Sequence, residues 1–72
     1  MNSEIDVLDV VALTEDLSDR NLYRGQVGTV VEALAPDVFE VEFSDDEGRV
    51  YASIALNASQ LLILRYEPVK AG

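Results

Sequence analysis

Residues 38–43, VFEVEF, alternate without exception: Phe39, Val41 and Phe43 fall at one parity, Val38, Glu40 and Glu42 at the other. A helix would scatter these six residues around its cylinder. An extended strand, with a side-chain period of two, sorts them onto two faces. One face therefore enters a core and the other meets water, as in an antiparallel sheet solvated on one side. Asp45-Asp46-Glu47-Gly48 follows and reads as a hairpin turn, with Gly48 free to take positive φ. Residues 50–56, VYASIAL, then pair back as the next strand. A lone hairpin is marginal in water, so the rest of the chain has to supply more strands and an apolar layer.

It has the material. Residues 7–14, VLDVVALT, are aliphatic and β-branched and predict a first strand. Residues 15–23, EDLSDRNLY, predict an irregular loop anchored on the core by Leu17 and Leu22. Gly25-Gln26-Val27-Gly28 leads into a second strand over 29–34, Gly25 supplying a turn and Gly28 a bulge or sharp bend at a barrel corner. Pro36-Asp37 suits a tight turn before VFEVEF. Asn57-Ala58-Ser59-Gln60 is long enough for one helical turn, and residues 61–66, LLILRY, form a fifth strand. The expected fold is all-β, a small five-stranded SH3-like barrel with one short helical turn before the last strand. It spans residues 1–66 as a single domain, with 67–72 as a loose C-terminal tail. An OB-type barrel would need a helix between the third and fourth strands, and the residues between Phe43 and Tyr51 leave no room for one.

Composition narrows the function. The chain has 72 residues, no cysteine and no histidine, which removes disulfides, cysteine- or histidine-based metal sites and the usual general base near neutral pH. A domain of this size buries only about 60% of the surface its unfolded chain exposes, so a partner or a second copy is the remaining way to bury more. Fourteen carboxylates against five basic side chains give a net charge of −9. That balance repels phosphate backbones and anionic membranes and favours encounter with a basic protein. The opening residues MNSEIDVLDV contain neither a basic region nor a long apolar run, which argues against a signal peptide and for a cytoplasmic location.

Four features could carry activity. Glu40, Glu42, Asp45, Asp46 and Glu47, with Asp37 at the far end of the strand, form an acidic constellation. As a metal site it lacks the alternating ligand order of a calcium loop. As a carboxylate enzyme it lacks a cleft. A solvated hairpin face and an electrostatic docking face for a basic partner are the two readings left. Gly25 and Gly28 have the G-x-x-G spacing of nucleic-acid-binding KOW modules, but Arg20 and Arg24 are outweighed there by Glu15, Asp16 and Asp19. Tyr23, Tyr51 and Tyr66 could line a peptide groove, although sequence spacing does not say whether they meet. Lastly, the first, second and final strands are apolar at both parities, which predicts either barrel curvature or an oligomer interface. No serine has a histidine or lysine to activate it nearby in sequence, so no catalytic residue, cofactor or metal is expected.

LDVVALTEDL, RGQVGTVVE and FEVEFSDDEGR, followed by the leucine-rich last strand, occur in the order that resembles an uncharacterised family of small bacterial and cyanobacterial proteins, domain of unknown function 4926. The likeness covers about residues 7–66. It implies an SH3-like fold and no assigned activity or catalytic residues. It also implies an antitoxin- or immunity-like pairing with a neighbouring gene product. The expectation is thus a non-catalytic, acidic protein-binding module with a basic protein partner. The alternatives are a structural homo-oligomer and a KOW-like nucleic-acid module.

Overall fold

The computed structural model describes residues 4–64, and all five strands in it are antiparallel members of one sheet. They are β1 (Val10–Leu13), β2 (Val27–Ala35), β3 (Val38–Ser44), β4 (Val50–Asn57) and β5 (Leu61–Ile63), in spatial order β4-β3-β2-β1-β5. The all-β, five-stranded expectation holds, and a single turn of 3-10 helix, Ala58–Gln60, precedes the last strand. Closure does not follow. That turn brings the end of β4 near the start of β5, yet no ladder joins the two strands among the described residues, so they form the edges of an open, curled sheet. The last strand ends at Ile63, so Leu64 is not part of it as expected; Arg65, Tyr66 and the tail from Glu67 lie outside the described residues.

The alternation in β3 sets the inner face. Phe39, Val41 and Phe43 are buried, while Val38, Glu40 and Glu42 are half-buried. Their register partners in β4, Leu56, Ile54 and Ala52, share the inner face. Val30 of β2, Val11 and Leu13 of β1 and Leu61 of β5 complete one cluster, into which Ile5 and Leu22 also pack. Phe43, Leu22, Val11, Val30 and Val41 are the largest fully buried side chains. Fully burying such a side chain contributes about 1.5–3 kcal/mol, so these five are the centre of the fold's stability.

Two corrections to the expected elements have clear causes. The first strand begins at Val10 and not at residue 7: Asp9 Oδ2 accepts the Asp6 N–H at 2.9 Å and Asp6 O accepts the Asp9 N–H at 3.0 Å, closing a turn over Val7 and Leu8. Leu8 takes φ 79 there and is 74% exposed. The local aspartate bonds outcompete the β propensity of the two aliphatic residues. Gly28 is neither a bulge nor a bend. It sits in β2 opposite Val11 and is buried, and a Cβ there would lie 2.7 Å from Val41 Cγ1 and 2.8 Å from Glu42 O. Close approach of β3 is what requires glycine. The irregularities in β2 come later, where the register skips Val31 and Leu34.

The long first loop is tied down from within. Leu17 and Leu22 exchange backbone hydrogen bonds of 2.8 and 3.2 Å, and Asp16 Oδ1 accepts the Arg24 N–H at 2.9 Å. Gly25, at φ 93, donates its N–H to Leu13 O at 2.8 Å and delivers the chain into β2.

Candidate functional site

The outer face of the sheet divides into an acidic half on β2 and β3, bordered by the small side chains of β4, and an apolar half on β5, β1 and the start of β2. On the acidic half, Glu40 and Glu42 project two residues apart from β3. Their β4 partners are small: Ala55 opposite Glu40 and Ser53 opposite Glu42. Ser53 Oγ donates to Glu40 Oε2 at 2.6 Å, which fixes one carboxylate oxygen.

The structure adds Glu32, which sequence reasoning passed over. It stands directly opposite Glu40 across the β2–β3 ladder. The reason is the extra residue at Val31: Val30 pairs with Val41, and the next pair is Glu32 with Glu40. Without that irregularity Glu32 would oppose Phe39 and point into the core, since a one-residue slip exchanges the faces. Like charges directly opposite one another destabilise a strand pair, so this pair is an arrangement that stability alone does not favour.

The turn carboxylates form a separate group. Asp45 Oδ1 accepts the N–H of Glu47 at 2.9 Å and of Arg49 at 3.0 Å, so its carboxylate shapes the hairpin. Gly48, at φ 81, donates its N–H to Asp45 O at 3.0 Å. Glu47 pairs with Arg49 at 2.9 Å, both side chains well exposed, an interaction worth at most about 1 kcal/mol. Asp46 is exposed beside them. Of the five acidic residues expected to meet a partner, Glu40 and Glu42 thus share the sheet face, and Asp45, Asp46 and Glu47 make the tip beyond it. Asp37, at the opposite end of β3, uses its carbonyl to receive the Ala58 N–H at 2.8 Å. Among the described residues no group of three or more Asp and Glu side chains could hold a metal ion.

Gln26 links the backbone of Tyr23 to the hydroxyl of Tyr51, two residues remote in sequence. Its Oε1 accepts the Tyr23 N–H, and its Nε2 donates to Tyr51 OH at 3.0 Å. Tyr51 also packs its ring 6.4 Å from that of Phe43, and both tyrosines are about half exposed. Tyr66 lies outside the described residues.

On the apolar half, Val27, Ala12 and Leu62 are register partners in one row across β2, β1 and β5. Ala12 is buried between its neighbours, whereas Val27 is 45% and Leu62 58% exposed. Apolar residues at both parities of β1 therefore have two destinations, the core on the inner side and this row on the outer side.

Residues 7–63 match the model of the family described as domain of unknown function DUF4926. The chain belongs to that family. The match runs from the Asp6–Asp9 turn to the end of β5, so it takes in the whole sheet and both halves of its outer face. No curated protein and no solved structure matches this DUF4926 member. No helix among the described residues is long and apolar enough to cross a membrane.

Proposed function

We propose that the protein is a non-catalytic, cytoplasmic binding module that captures a basic protein through the acidic half of its outer sheet face. The observation that carries this reading is the placement of Glu32 against Glu40, with Glu42 alongside, on one face of adjacent strands. A cationic partner turns the like-charge pair from a cost into a source of binding energy, and the net charge of −9 steers such a partner inward. Asp46 and Glu47 at the hairpin tip extend the negative surface, and Asp45 holds that tip in shape. Within this reading the role is that of an antitoxin- or immunity-like protein, an acidic cap over a basic active site on another gene product. A nucleic-acid role through Gly25 and Gly28 has less support, because Gly28 is buried under β3 and Arg24 stands among acidic residues.

The test reverses charge on the face without touching the core. The double variant Glu40→Lys with Glu42→Lys keeps Phe39, Val41 and Phe43 in place, and its far-UV circular dichroism stays that of the parent. Association with an immobilised lysine-rich peptide should slow by about tenfold or more at low salt and lose most of its salt dependence. Unchanged association kinetics would remove the acidic face from the reading.

The apolar row favours a second reading, a homo-oligomer that buries Val27 and Leu62 between copies. Light scattering at micromolar concentration decides it: a mass of one subunit sinks the oligomer, and a dimer lost on Leu62→Lys supports it.

A further inference from the structure

Strand β4 has β3 on one side and, among the described residues, no strand on the other. Which of its backbone groups face that open side follows from one bond. The Ala58 N–H donates to Asp37 O at 2.8 Å, and hydrogen-bonded pairs in an antiparallel ladder alternate with unbonded ones. Counting by twos from there, Leu56–Phe39, Ile54–Val41 and Ala52–Phe43 are the bonded pairs. Ser53 and Ala55 lie between them, so their N–H and C=O groups point outward along the free edge. The Asn57 N–H, next in that series, is already taken by Gln60 Oε1 at 2.9 Å.

Sheets usually guard such an edge with charge, proline or a covering segment. β4, VYASIALN, carries neither charge nor proline. Its one irregularity is at the far end, where the register shifts between Phe43 and Ser44. Among the described residues, the stretch from Ala52 to Leu56 is left regular and open to another strand.

The adjoining face says which strand fits. Ser53 and Ala55 are small and stand beside Glu42 and Glu40. An added strand would place its outer-face residues two strand spacings from β3, about 10 Å, a gap that a lysine and a glutamate bridge by extending toward each other over the short side chains. Inner-face residues of the same strand would meet Ala52 and Ile54, both half-buried. A second copy of the chain is a poor occupant. Its β4 would carry another Glu32, Glu40 and Glu42 onto the same face, in a molecule whose net charge is already −9.

We infer that β4 accepts an additional antiparallel strand from the partner protein, one that alternates basic with apolar residues. The basic residues lie over Glu40 and Glu42, the apolar ones against Ala52 and Ile54, and the backbone bonds to Ser53 and Ala55. This rests on the acidic-face reading and adds to it a backbone requirement that charge alone does not impose.

The experiment separates the two. The probes are three short, end-capped peptides of alternating lysine and valine: the parent, one N-methylated at every lysine, and one N-methylated at every valine. All carry the same charge. In antiparallel addition the lysines lie opposite Ser53 and Ala55 and donate their N–H groups to those carbonyls, while the valine N–H groups point away. By fluorescence anisotropy at low salt, the valine-methylated peptide should bind within about threefold of the parent and the lysine-methylated one roughly tenfold or more weakly, a loss of about 1.4 kcal/mol or more. Amide exchange at Ser53 and Ala55 should slow on binding of the parent. Equal binding by all three peptides overturns strand addition while leaving charge docking intact, and binding by none overturns both. A dimer in solution whose Ser53 and Ala55 amides are protected before any peptide is added also overturns it, because the edge then belongs to a second copy.

Discussion

Replacing Gly28 by alanine adds one methyl group at a position of the sheet with no room for it. That methyl would lie 2.7 Å from Val41 Cγ1, 2.8 Å from Glu42 O and 3.0 Å from Phe43 Cδ1. Carbon atoms prefer about 3.5–4.0 Å, so the overlap with Val41 is close to an ångström. Neither neighbour has an easy retreat: Val41 and Phe43 are both fully buried, and Glu42 O is backbone. Overpacking of this kind costs about 1–3 kcal/mol. Against it stands a gain of about 0.4–1 kcal/mol, because alanine has fewer unfolded conformations to lose. Taking the upper part of the first range, the net loss is about 1–2 kcal/mol, which for a domain of this length lowers Tm by roughly 4–16 °C. Urea and thermal unfolding followed by far-UV circular dichroism would measure it. Val41→Ala gives the stricter check. If contact with Val41 is the cause, Gly28→Ala combined with Val41→Ala costs less than the two single changes added together, by about 0.5 kcal/mol or more. A Gly28→Ala protein as stable as the parent, or strict additivity in that cycle, refutes the close-approach account.

Two further outcomes follow from the charge and turn geometry. Glu32→Lys exchanges a like-charge pair for an attractive one opposite Glu40; thermal unfolding should show a gain of about 0.2–1 kcal/mol at low salt that fades as salt rises. The same change should weaken capture of a lysine-rich probe, so stability and binding move in opposite directions. Asp45→Ala removes the acceptor that holds the Glu47 and Arg49 N–H groups, with an expected loss of about 1–2 kcal/mol in urea unfolding and no change in the chemistry of the Glu40–Glu42 face.

Legibility in the sequence tracked how local the cause was. The strand over residues 38–43, the turn at Asp45–Gly48 and the short turn before β5 are written in neighbouring residues, and the structure has each where the pattern puts it. At the N-terminal end a local competitor was missed. Asp6 and Asp9 close a turn that holds Val7 and Leu8 out of β1, and an Asp-x-x-Asp spacing was the available signal. For the candidate site, Glu40 and Glu42 were legible because they share a strand with the core residues that orient them. Glu32 was not, because its direction depends on a register shift at Val31 that only pairing with β3 reveals.

By itself, then, the sequence determined an all-β chain with an alternating central strand, a large negative charge and no cysteine or histidine chemistry. Those are properties of single residues and of nearest neighbours along the strand. Tertiary structure decided that the sheet stays open among the described residues, that Gly28 is a point of contact, that Glu32 faces Glu40, and that β4 presents Ser53 and Ala55 to an edge no described strand covers. Each of these is a relation between strands, set by register. Register arises from packing many side chains at once, so no stretch of the chain carries it alone.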